Sequence, residues 1–281
     1  MAGWKQMSAF LVIGLVIPGV LVAILWRQMG GPAAALSTVE GGLAGRGLSA
    51  FFILLATWIA ARMAKRPVGD YGIPPRQAFG WRFWEGALLG FAMLSVLALI
   101  LWAVGAFRIE SVALRGIAAW RYALGWWLVF VFVSISEELV FRGYLFFVAA
   151  RRMQFWGAAV ALSIGFAVAH LPNPGETVIG IVQVLGTGLL FCLMIRRTGN
   201  LWFALGYHAA WDWAETFFYG TADSGLVGHG RLLNSSAQGA NWLGGGSAGP
   251  EGSVFALVIL GVCAALVSVR FPKAIYPDRP A

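Results

Sequence analysis

Apolar residues along the chain fall into long runs, and the polar residues gather between them. Eight runs approach the about 17–25 residues a helix needs to cross a hydrocarbon core. They are Ala9–Trp26, Gly47–Met63, Gly86–Ala106, Tyr122–Ala150, Phe155–Leu171, Val178–Ile195, Leu201–Tyr219 and Ser253–Val269. The second, fifth and eighth sit at the lower limit. The pattern predicts an all-α fold, a polytopic integral membrane protein with about eight transmembrane helices in a single membrane domain over residues 1–281. Two connections are long. Arg66–Glu85 carries a Pro-Pro break and aromatics beside arginines, which predicts a loop and an interfacial stretch at the headgroups. Gly220–Gly252 has ten glycines in 33 residues, which predicts a flexible Gly-rich loop. No internal repeat is visible.

Composition agrees with the pattern. Hydrophobic residues make up 59% of the chain and charged residues 11%, with a mean hydropathy of +0.77. A soluble domain averages about 45–50% apolar and about 25% charged, so a soluble globular protein is excluded, as are disorder, collagen and a disulfide scaffold. The net charge of +8 sits at the ends of apolar runs rather than in one patch. That speaks for a lipid bilayer and against a nucleic-acid partner. Of the 20 basic residues, 13 fall on the side of both termini (Arg279 among them), six on the other, and Arg142 within a run. This bias places both termini in the cytoplasm and the chain in the plasma (inner) membrane. Cys192 and Cys263 lie inside apolar runs and read as small buried hydrophobes. Ala9–Trp26 reads as the first helix, since no small-residue cleavage site follows it.

Charged groups inside spans are costly, which makes them functional candidates. The fourth run carries Glu137, Glu138 and Arg142, the fifth ends at His170, and the seventh carries His208, Asp212 and Glu215. Glu138 and Arg142 are four apart with the acid first, the spacing of an intrahelical ion pair, and a purely structural pair explains them equally well. Glu137 is rotated by about 100° from Glu138 and has no local partner, which suits a general base. His208 and Asp212 share a face. Together they suit a polar clamp, a proton relay or a catalytic pair. His170 alone suits an interhelical hydrogen bond, with Phe166 one turn before it as a floor. Glu215, nearer the far side, reads as a snorkelling or hydrated group. His229 reads as surface. Trp126, Trp127, Trp202, Trp211 and Trp213 read as interface or lipid-facing anchors. Counted at about 1.5 Å per residue, Glu137, His170, His208 and Asp212 reach similar depth. Little else titratable lies between that cluster and either side, which favours a closed chamber over a relay.

In order, the motifs are EExxxR (Glu137, Glu138, Arg142), FxxxH (Phe166, His170) and HxxxD (His208, Asp212). This order on successive apolar helices resembles the CPBP intramembrane endopeptidases, the Abi or CAAX prenyl protease type. The resemblance runs over about 120–219, which reads as the catalytic core, and TGNLWFALGYHAAWDW is especially typical. It implies a hydrolase whose site lies within the membrane and whose substrate is a peptide or protein, prenylated or membrane-bound. It implies that Glu137 activates water, His170 assists, and His208 with residue 212 stabilises the oxyanion. Glu138, Arg142 and Phe166 support them. No metal is required by the family chemistry. Asp212 stands where the best-studied relatives carry Asn. An Asn donates to an oxyanion, whereas an ionised Asp repels it. Asp212 must therefore stay protonated, or orient His208 and hold it cationic. A third option is zinc on His170, His208, Glu137 and Asp212, ranked second because the HExxH signature is absent. The competing class is a non-proteolytic membrane protein, either a proton-coupled transporter or an immunity or scaffold partner.

Overall fold

The computed structural model describes residues 4–278, so Arg279 lies outside the described residues. The chain begins with α1 (Trp4–Leu11) and α2 (Ile17–Gln28), joined by a π turn into one continuous helix. A short α3 (Pro32–Leu36) leads into α4 (Val39–Met63), which Thr38 caps by accepting from the Gly41 N–H. Next come α5 (Trp81–Ala103), β1 (Phe107–Val112), α6 (Gly116–Phe141), α7 (Tyr144–His170), α8 (Val178–Thr198) and α9 (Trp202–Trp213). A π turn, Ala214–Tyr219, extends α9. The chain then forms β2 (Ala222–Asp223), β3 (Leu226–Val227), β4 (Leu233–Ala237), α10 (Asn241–Gly244) and α11 (Val254–Arg270).

Every expected run is helical over most of its length. Five helical stretches are long and apolar enough to cross a membrane: Trp4–Gln28, Val39–Met63, Trp81–Ala103, Gly116–His170 and Val178–Thr198. The stretch Gly116–His170 holds two of the eight expected spans. Val254–Arg270 is apolar but shorter, with 17 residues. Length and hydropathy therefore do not deliver eight spans. Large apolar side chains face outward all round the helices, among them Phe51, Leu88, Leu99, Leu124, Val182 and Val258. That is the surface a lipid solvent tolerates and water does not.

The expected unbroken fourth run, Tyr122–Ala150, is corrected. Helix α6 stops at Phe141, and Arg142 and Gly143 leave helical geometry before α7 starts. A Cβ at Gly143 would strike the Leu139 carbonyl, so glycine lets the chain turn there. A second break falls at Met153 and Gln154 inside α7, where Gln154 has φ 66°. This is where the fourth and fifth runs were separated.

The centre of the molecule is the packing of α5 on α9. Gly86 and Gly90 of α5 and Gly206 of α9 leave no room for a Cβ, which would meet the Phe203, Tyr207 and Phe83 carbonyls respectively. This is small-residue packing, in which backbones approach because side chains are missing. The TGN turn before α9 has a similarly local cause. Gly199 closes α8 in the left-handed region at φ 83°, and its N–H reaches the Ile195 carbonyl. Asn200 then accepts from the Trp202 N–H at 3.1 Å and donates to Gln77 at 2.7 Å. The connection 66–85 is accordingly docked rather than only interfacial: Tyr71 and Ile73 are buried, and the Trp202 indole donates to the Pro74 carbonyl.

The glycine-rich segment 220–252 is built into two small antiparallel ladders. Strand β4 pairs with β1 (Phe107 opposite Ala237, Val112 opposite Leu233), and β2 pairs with β3. The Trp reading is corrected too. Trp126, Trp202 and Trp211 are buried, and Trp127 and Trp213 are half-buried, Trp127 stacking on Trp84 and meeting Trp213 edge-on. The indoles of Trp126 and Trp213 donate to the carbonyls of His229 and Ala123. The exposed tryptophans are others, including Trp81, Trp102 and Trp120.

Candidate active site

The end of α6 places Glu137 and Glu138 on different faces of the helix. Glu138 is buried together with Arg142, whose Nη1 lies 3.2 Å from Glu138 Oε1. Because α6 ends at Phe141, the arginine swings inward, and its guanidinium lies over the Phe166 ring at 4.1 Å from the centroid. The intrahelical pair read from spacing is thus present, and it reaches beyond its own helix. His208 of α9 approaches Glu138 Oε1 through Nδ1 at 3.0 Å and Asp212 Oδ2 through Nε2 at 3.2 Å. The imidazole stacks on Phe191.

This sandwich fixes a proton count. A neutral imidazole has one N–H and one lone pair, and an ionised carboxylate only accepts. If both carboxylates are ionised, both ring nitrogens must donate. If the ring is neutral, one carboxyl must carry the proton. In either case Glu138, His208 and Asp212 together hold one proton more than the neutral ring flanked by two carboxylates. The two protonation options for Asp212 are the same proton drawn at two places.

Glu137 was expected to have no local partner, and within its helix it has none. The partner comes from α4: Arg46 Nη1 lies 3.5 Å from Glu137 Oε1. On the other side, His208 Nε2 lies 3.9 Å from Glu137 Oε2. His170, at the end of α7, bonds through Nδ1 to the Phe166 carbonyl at 2.8 Å and packs against the Phe166 ring. A carbonyl only accepts, so Nδ1 carries the proton, and the neutral ring keeps a lone pair on Nε2.

Glu137, His170, His208 and Asp212 line one cavity of about 300 Å³, together with Arg46 and apolar side chains such as Trp126, Phe130, Val133 and Val184. Sequence reasoning missed three of its charged residues. Arg46 abuts the second apolar run and was counted as a flanking charge. Asp223 and Glu251 sit in the glycine-rich segment, where nothing in the sequence marks them. Glu215 is corrected: it is buried, with no hydrogen-bond partner for either carboxylate oxygen. Burial pushes the Glu251 carboxyl up to about 7, the Ser224 hydrogen bond opposing it and the Asp212 carboxylate adding to it. Burial also pushes Asp223 well above the usual carboxylate range, reinforced by Asp212 and Glu251. The expected emptiness around the cluster is therefore corrected as well, because acids continue from Asp212 towards 220–252. His229 is exposed, as expected.

Among the described residues, the only three His, Cys, Asp or Glu residues whose ligand atoms all lie within 4.8 Å of one another are Glu215, Asp223 and Glu251. Glu137, His170, His208 and Asp212 supply no such triple.

Residues 94–214 match the sequence model of a family described as Rce1-like, Type II CAAX prenyl endopeptidase Rce1-like. The matched segment, less than half of the chain, is similar to that family and contains all three motifs. The family so described is one of prenyl endopeptidases. No curated protein matches the chain.

Proposed function

We propose that the protein is an intramembrane endopeptidase of the glutamate type. The observation that carries this reading is the meeting of Glu137, His170, His208 and Asp212, from three helices, around one cavity with apolar walls. Glu137 takes a proton from a water in the cavity, and the hydroxide attacks a peptide carbonyl carbon. His170, with Nδ1–H committed to Phe166, accepts a hydrogen from the same water through Nε2 and holds it in place. The substrate carbonyl displaces the Asp212 contact and takes the His208 Nε2–H, which stabilises the tetrahedral oxyanion. Glu138 keeps that ring oriented from the other nitrogen. The intermediate collapses as Glu137 returns its proton to the leaving amine, which leaves a carboxylic acid and an amine; the acid's proton then passes to the amine, giving a carboxylate and an ammonium.

Both termini lie in the cytoplasm on this reading, the chain crosses the membrane about eight times, and the substrate is a membrane-bound protein with or without a prenyl group. No step uses a metal.

The test is comparative proteomics of membrane peptides with wild-type and Glu137→Gln protein, beside purified reporters with and without a prenyl group. Cleavage lost in Glu137→Gln protein that stays folded in detergent supports the mechanism, and full activity in that variant overturns it. Activity that survives a strong chelator supports the metal-free chemistry. Ion-dependent uptake in proteoliposomes without cleavage of any membrane peptide supports the transporter reading instead.

A further inference from the structure

Three acids from three separate segments converge beside the cavity. Glu215 lies on the π turn that ends α9, Asp223 on β2, and Glu251 on the 3-10 turn Pro250–Gly252 before α11. One carboxylate oxygen of each lies within 4.8 Å of the other two. Such a cluster costs repulsion unless something neutralises it. Among the described residues, none of the three forms an ion pair. A second observation points the same way. Glu215 is fully buried and faces the other two acids, and neither of its oxygens makes a well-formed hydrogen bond, although the Glu251 backbone N–H lies nearby. A buried carboxylate with two orphan oxygens is costly, and it is offset either by a proton or by a bound cation.

We propose that Glu215, Asp223 and Glu251 form a binding site for a hard divalent cation, calcium foremost. The donors are all carboxylate oxygens, with no nitrogen or sulfur, which selects calcium, magnesium or manganese over zinc or copper. Calcium binds oxygens at about 2.3–2.6 Å, so its shell measures roughly 4.6–5.2 Å across. Three oxygens within 4.8 Å of one another can close onto that shell with shifts of a few tenths of an ångström. Magnesium demands near-ideal octahedral geometry, whereas calcium accepts the irregular set that three separate segments supply. Glu251 is already aimed: its Oε1 accepts from the Ser224 N–H and hydroxyl, which leaves Oε2 for the ion. The cation ties the end of α9 to the start of α11 through β2, and so fixes 220–252 against a cavity that Asp223 and Glu251 help to line. The site does not depend on the proteolytic reading.

The experiment uses the full chain in detergent, stripped with a chelator and titrated with calcium by calorimetry, with thermal unfolding read in parallel. One calcium per chain is expected, with a raised unfolding temperature and slower proteolysis within 220–252. Asp223→Asn and Glu251→Gln, both at partly exposed positions, should each weaken binding at least tenfold, and Glu215→Gln should abolish it. Glu137→Gln should bind calcium like the wild type, which keeps this test separate from that of the protease mechanism. No binding of calcium, magnesium or manganese at millimolar concentration overturns the proposal. So does calcium binding that survives Asp223→Asn combined with Glu251→Gln.

Discussion

The buried pair between Glu138 and Arg142 makes a quantitative prediction. Two unit charges at 3.2 Å attract by about 5 kcal/mol at an effective dielectric of about 20. Desolvation opposes this, and incompletely satisfied atoms remain: Glu138 Oε2 and Arg142 Nε and Nη2 have no hydrogen-bond partner. The pair is therefore worth little against an apolar replacement, but breaking half of it is expensive. Arg142→Met leaves the Glu138 carboxylate buried on His208 alone. Glu138→Gln leaves a guanidinium buried over Phe166. Each single variant should cost about 3–5 kcal/mol. The double variant removes both charges and should cost at least about 2 kcal/mol less than the sum of the singles. The assay is a denaturant titration in mixed micelles followed by tryptophan fluorescence, run as a double-mutant cycle. Single variants within about 0.5 kcal/mol of wild type would refute the reasoning, because that is the behaviour of surface substitutions. Strictly additive effects would refute it too.

Other predictions are local. Gly206→Ala drives a Cβ onto the Phe83 carbonyl between α5 and α9 and should destabilise by about 1–3 kcal/mol in the same titration. Gly19→Ala, with nothing within 4 Å of the new Cβ, should be neutral or stabilising by up to about 1 kcal/mol. Asn200→Ala removes the cap on the Trp202 N–H and should cost about 0.5–2 kcal/mol of thermal or denaturant stability. Arg46→Met removes the cation beside Glu137 and should slow cleavage of a membrane peptide about tenfold to 150-fold, equivalent to about 1.5–3 kcal/mol. An unchanged rate would exclude Arg46 from the site.

Much of the site was legible in the chain because its parts repeat at one helical turn. Glu138 and Arg142, Phe166 and His170, and His208 and Asp212 are each four apart, and each pair makes its contact in the structure. Local geometry decides such pairs, and sequence spacing encodes local geometry.

The amino-acid sequence by itself determined the helical runs, their apolar outer surfaces and the motifs that carry the chemistry, because each depends on neighbours within a turn or on the solvent the chain must meet. The tertiary structure alone decided which helices face one another. It brought Arg46 to Glu137 across 91 positions of sequence, Glu138 to His208 across 70, and Glu251 to Ser224 across 27. The close approach of α5 to α9 at three glycines and the turn at Gly143 are likewise decided in three dimensions. Both arise from missing side chains, whose consequences appear only when a second segment occupies the space.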